Sequence, residues 1–324
     1  MDRFRRSWEL FKSSLVVMMR HKVLLLFPIL IAVLTAFMVI LFLTPVAFQP
    51  TGHSYISSQH WETVGKRMVN YQSTTTRTPG PPGSLGGSGS YNQSTSWNVN
   101  FKPIAAAYFA LFYFSSMFLA TFLNVAFYRE IMNALSGRPV SIIEGIGFAA
   151  RKWKIILMWT LFAGVVGFII KSLEERFGWF GEWIMRLIGA VWSIACVFVI
   201  PVIITEQETS NPFVVLKKSA QTLTKTWGES LIGYAGVSVG NTLVMILSLL
   251  CLAGGIGMAV VLNSIWLGVL TVLFWLLTVI VFSYLMAVAS HIFRCALFLY
   301  ASQGTLPHPY NEEMMSLAWK TKKA

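Results

Sequence analysis

Gly236-Val237-Ser238-Val239-Gly240 has the spelling of a nucleophile elbow, and His291 is the one histidine deep inside an apolar run. A serine activated by that histidine would make a hydrolase within the membrane. Two features of the sequence argue against it. No strand-forming stretch precedes the motif, and no acid within the apolar runs stands ready to orient the ring. Gly236 and Gly240 read better as a small-xxx-small face on which two helices approach closely. His291 and Arg294 lie one helical turn apart near the end of the last apolar run. They are candidates for a proton or anion role, or for contact with a headgroup or a neighbouring acid. Asn124, Asn241 and Asn263 suit interhelical hydrogen bonds better than solute ligation. Metal-ligand spacing, a phosphate loop and a zinc-type Cys/His cluster are all missing, so the expectation is no enzyme and no cofactor. Cys196, Cys251 and Cys295 sit in or beside apolar runs, as free thiols would.

The elements that carry these residues are set by composition. The chain has 324 residues, is 55% hydrophobic and only 12% charged, and carries a formal net charge of +12. No soluble domain of this length has a core large enough for that much apolar sequence, whereas a membrane bundle needs it. The expected fold is an all-α integral membrane bundle with six transmembrane helices, over 23–43, 104–128, 155–170, 187–204, 231–252 and 267–297. Residues 23–43 contain no charge and extend about 31 Å as a helix, enough to cross the hydrocarbon. Pro201 is an expected kink in the fourth span. From Ser230 to Phe293 no Asp, Glu, Lys or Arg occurs. That run is too long for two spans alone. The surplus points to a break around Ala253-Gly254-Gly255-Ile256-Gly257 and Asn263, possible as a turn or a shallow half-helix. Residues 45–102 read as a polar extracytoplasmic loop, mobile from Gln72 to Asn98 for want of anything to bury. Residues 298–324 form a tail with a short helix from Asn311 to Trp319.

Three amphipathic helices, at 1–21, 141–153 and 212–227, should lie flat at the interface and lead into the spans. In the first, Phe4, Trp8, Phe11, Leu15 and Met19 form the apolar stripe, with Lys12 facing away. In the second, Ser141 and Glu144 have capping-box spacing, and Ile142, Ile146, Ala149 and Trp153 follow as a stripe. In the third, Asn211-Pro212 starts the helix. Phe213, Leu216, Ala220, Leu223 and Trp227 form its stripe, while Lys217, Lys218 and Lys225 lie elsewhere. Trp8, Lys12, Trp153, Lys217, Lys218, Lys225 and Trp227 are the candidates for interfacial anchoring or docking, with anionic headgroups or other membrane proteins as partners. The basic excess is spread over span ends and so does not point to nucleic acid. Of the Lys and Arg residues, 18 lie on segments flanking one side and seven on the other, which places both termini in the cytoplasm.

The run Phe4-Arg5-Arg6-Ser7-Trp8-Glu9-Leu10-Phe11-Lys12, followed by Lys22-Val23-Leu24-Leu25-Leu26-Phe27-Pro28, resembles the opening of a family of bacterial integral membrane proteins of unknown function. Lys217-Lys218-Ser219 and Thr226-Trp227-Gly228-Glu229-Ser230 are similar to its mid-chain helix, and Ala296-Leu297-Phe298-Leu299-Tyr300-Ala301-Ser302-Gln303-Gly304 to its closing segment. The resemblance implies six spans and a bacterial inner membrane, and it supplies no activity. The expected function is a non-enzymatic membrane scaffold or accessory subunit. The alternative is a transporter or lipid-handling channel for an uncharged or amphipathic solute, gated by the broken segment at Gly254–Asn263.

Overall fold

The computed structural model describes residues 12–79, 91–176, 179–206, 210–224 and 230–304, together with positions 307, 309 and 310. Trp8, Lys225, Trp227, the loop centre 80–90 and the expected tail helix 311–319 lie outside the described residues. The helices are α1 (12–20), α2 (Leu26–Ala47), α3 (Ser58–Met68), α4 (Pro103–Leu135), α5 (Ile142–Arg151), α6 (Trp153–Arg176), α7 (Trp179–Ala195), α8 (Val199–Thr205), α9 (Pro212–Thr224), α10 (Ser230–Val261) and α11 (Ile265–Gln303). Among the described residues five stretches are long and apolar enough to cross a membrane: Lys22–Ala47, Pro103–Leu135, Trp153–Glu174, Trp183–Thr205 and Ile265–Gln303.

Residues 33–117 form a unit of their own. The segment expected to be a structureless loop carries α3 and an antiparallel hairpin, β1 (Val69–Pro79) with β2 (Tyr91–Phe101), in register from Val69↔Phe101 to Pro79↔Tyr91. Reading 72–98 as mobile rested on its lack of apolar residues. A ladder satisfies backbone groups against each other, and Thr, Tyr, Trp and Val favour strands whether or not a core lies beneath them. The Ser57 hydroxyl caps α3 by accepting from His60 N–H. His60 is fully buried, with Nε2 2.9 Å from the Ala47 carbonyl and Nδ1 2.6 Å from Thr51 Oγ1. That imidazole ties α3 to the end of α2. Within the same unit Tyr108 donates to the Phe42 carbonyl at 2.6 Å and Phe42 packs on Phe112.

The remaining described chain forms the second unit, and its core gathers at one end of the long helices. Buried side chains concentrate at Leu123–Leu135 of α4, Ile155–Ala163 of α6, Pro201–Ile204 of α8, and Val288–Leu299 of α11. The opposite half of α11 is exposed and apolar, from Ile265 through Val281, as a lipid-facing surface would be. Trp159 of α6 stacks on Trp192 of α7 at 6.2 Å, with Phe162 edge-on to the same ring.

The fourth span carries the break expected from its proline, as a full interruption. It is two helices, α7 and α8, separated by a turn over 196–198. Pro201 is the physical reason: it has no N–H for the Val197 carbonyl, and its ring crowds that carbonyl. The break therefore falls one turn before the proline.

The glycine run behaves oppositely. α10 passes without interruption through Gly254, Gly255 and Gly257, and the chain turns at Leu262–Ser264, where Asn263 has φ +48°. No break occurs at Ala253–Gly257. The glycines serve the hairpin instead, since a Cβ on Gly255 would overlap Thr271 Cγ2 of α11 while Gly254 and Gly257 face open space. Asn tolerates the left-handed turn that closes the pair. Ser264 then caps α11 through Leu267 N–H.

Candidate functional site

The polar groups of the second unit lie where its core is densest. On α4, Leu123, Phe127, Glu130 and Ala134 share one face at i, i+4, i+7 and i+11, and all four are buried. Glu130 is only 1% exposed. One carboxyl oxygen accepts from the Ser141 N–H at 2.8 Å and the other from Asn133 Nδ2 at 3.1 Å. This corrects the capping box. The Ser141 hydroxyl does accept from Glu144 N–H at 3.5 Å, but the reciprocal bond to Ser141 N–H comes from Glu130, one helix away, while Glu144 stays in solvent. Gly145 makes room for it: a Cβ there would sit 2.9 Å from Glu130 Cγ and 3.0 Å from the Ala126 carbonyl.

Next to it on α4, the Tyr128 hydroxyl lies 2.8 Å from His291 Nδ1 and accepts from Arg294 Nη1 at 3.3 Å. Phe127 meets the same imidazole edge-on at 5.5 Å and stacks on Phe27 of α2 at 5.2 Å. His291 and Arg294 are thus brought together, turned inward onto a tyrosine. The Tyr284 hydroxyl, further along α11, donates to the Leu25 carbonyl.

Ser219 of α9 spans the break in the fourth span. Its hydroxyl donates to the Ala195 carbonyl at 2.6 Å and accepts from Phe198 N–H at 3.1 Å, so both ends of the turn are held by one buried side chain. The face of α9 that packs inward is accordingly Val215, Ser219 and Leu223, while Phe213 is exposed. α1 shows the same rotation. Ser14, Val17 and Met18 are buried, Met19 is exposed, and the Ser14 hydroxyl pairs with that of Tyr310 at 2.8 Å. Burial pushes the Tyr310 phenol upward, against the bond from Ser14. The expected single stripe is turned in both helices: a serine packs inward with its apolar neighbours, and Met19 and Phe213 are left outside. Ser219→Ala is expected to lower stability by about 1–2 kcal/mol, because the Phe198 N–H loses its acceptor inside the core. Equilibrium unfolding in detergent measures it.

The other candidates scatter. Lys12 and Lys217 are exposed, and Trp153 is half-exposed at the first turn of α6. Lys218 pairs with the Glu206 carboxylate, and Lys152 donates to the Glu206 carbonyl. Burial lowers the Lys152 pKa from the usual lysine value, and Glu206 opposes that shift. Asn124 donates to Ala120 one turn back on its own helix, Asn241 lies within α10, and Asn263 forms the turn. Glu130, Tyr128, Asn133 and Ser219 were not singled out by sequence reasoning. The signal for Glu130 was its place on the apolar face of its own helix.

Long apolar helices knit at one end by buried polar side chains define a multi-pass membrane protein. Residues 104–307 match a family of unknown function (DUF6159), and the chain belongs to that family. No curated protein and no solved structure matches it.

Proposed function

We propose that this protein is a non-enzymatic scaffold or accessory subunit of a bacterial inner membrane, with six spans and both termini in the cytoplasm. The sixth span is α10, whose 32 residues would extend about 48 Å as a helix. The observation that carries the reading is what the buried polar side chains bond to. Glu130, Tyr128, His291, Ser219 and Ser14 each engage another segment of the same chain, which makes the core a rigid support. The transporter alternative placed its gate in a broken segment over Gly254–Asn263; α10 continues through the glycines and the chain breaks at Leu262–Ser264.

Two experiments bear on this. In a variant lacking native cysteines, Gln59→Cys should react with an impermeant thiol reagent in intact cells, and Gln303→Cys only after permeabilisation. Reaction of both from outside would overturn the orientation. For the role, crosslinking in cells followed by native mass spectrometry should yield a defined membrane-protein partner at fixed stoichiometry. Solute flux through proteoliposomes containing the chain alone would sink the scaffold reading.

A further inference from the structure

Three cations converge on one ring. Arg129 Cζ lies 4.8 Å from the centroid of Phe148, and Arg151 Cζ and Lys152 Nζ lie 6.0 Å from it. They come from two places in the chain, the end of α4 and the end of α5, so the fold assembles them. Among the described residues no carboxylate lies within ion-pair distance of either arginine. The Glu206 carboxylate pairs with Lys218 and also favours the charge on Lys152, whose Nζ donates to the Glu206 carbonyl. An aromatic face attracts each cation weakly, and it does not offset their mutual repulsion. An anion between them would.

The helix that follows the cations in the chain narrows the choice of anion. α6 begins directly after Lys152, and its exposed residues Met158, Leu161, Val165 and Phe168 fall at i, i+3, i+7 and i+10. This is an exposed apolar track along a helix long enough to span a membrane, and that helix begins one residue after Lys152. We propose that Arg129, Arg151 and Lys152 bind the phosphate of one anionic membrane lipid whose acyl chain lies along this track. The two arginines supply planar donor forks suited to phosphate oxygens, and Lys152 supplies a point charge. The inference deepens the scaffold reading and rests on it only for setting α6 in the bilayer. Solute flux that defeated the scaffold reading would leave the lipid titration below unchanged.

The test is native mass spectrometry of the full chain in detergent, titrated with phosphatidylglycerol, with phosphatidylcholine as the neutral control. One phosphatidylglycerol should bind per chain well below the concentration at which further lipids add. The Arg129→Gln/Arg151→Gln protein should need at least tenfold more lipid, and Lys66→Gln, an exposed change on α3, should bind as the native chain does. Unfolding midpoints of the three proteins establish that each is folded. If the double change unfolds the chain, Arg151→Gln alone, at an exposed position, must still weaken binding. Leu161→Ser should weaken a long-chain lipid more than its dioctanoyl form. Equal affinity for the two lipids, an equal loss in Lys66→Gln, or displacement by glycerol 1-phosphate as effective as by lipid would each overturn the proposal.

Discussion

Glu130→Ala should destabilise the folded protein by about 3–5 kcal/mol, the largest effect of any single change considered. Two donors would lose their partner inside the core, the Ser141 N–H and Asn133 Nδ2, at about 1–3 kcal/mol each. The vacated side chain adds a cavity cost between α4 and α5. Glu130→Gln should cost less, about 1–2 kcal/mol, because its amide keeps one acceptor and turns an N–H₂ toward the other donor. Gly145 offers a second reading of the same contact. Gly145→Ala sets a methyl against Glu130 Cγ, so its cost should shrink in the Glu130→Ala background. Unfolding in detergent across this cycle measures all four proteins. Glu130→Ala as stable as the native chain would mean that water, and not the carboxyl, satisfies the Ser141 N–H.

Gly255→Val should cost about 3 kcal/mol, at the upper end of what overpacking usually costs. The new Cβ would meet Thr271 Cγ2, and Thr271 has little room to move, since its hydroxyl donates to the Leu267 carbonyl at 2.8 Å. The helices would have to separate along the hairpin. The neighbouring glycines supply the control. Gly254→Ala and Gly257→Ala meet nothing within 4 Å, so they should be neutral or stabilise by up to about 1 kcal/mol through reduced freedom of the unfolded chain. Thr271→Ala should recover part of the Gly255→Val loss by removing the clashing methyl. If all three glycine positions respond alike, the close approach is not what this run provides.

The spans were legible from sequence because hydrocarbon allows a helix of some 20 apolar residues and little else. The long uncharged runs of α2, α4, α6 and α11 satisfy that condition without reference to one another. Helix starts at Ser141 and Asn211 were legible for the same reason, as caps are local. Which face of a helix turns inward is not local. Phe213, Leu216 and Leu223 make the stronger stripe by hydrophobicity, yet Phe213 is exposed and Val215 and Ser219 are buried beside Leu223, because the broken span beside α9 needs a hydroxyl at Ala195 and Phe198. In a membrane protein an apolar side chain is equally at home against lipid, so hydrophobicity stops deciding what faces in. The glycines show the same limit. A Gly-rich run reads as a break by propensity, but only the position of Thr271 on the next helix makes Gly255 a contact and leaves its neighbours free. The hairpin at 69–101 was missed because its order comes from backbone pairing between distant strands. Composition alone determined that this chain belongs in a membrane. The partners of Glu130, His291 and Ser219, and the gathering of Arg129 with Arg151 and Lys152 around one ring, were decided by the tertiary structure, since each joins residues on different helices.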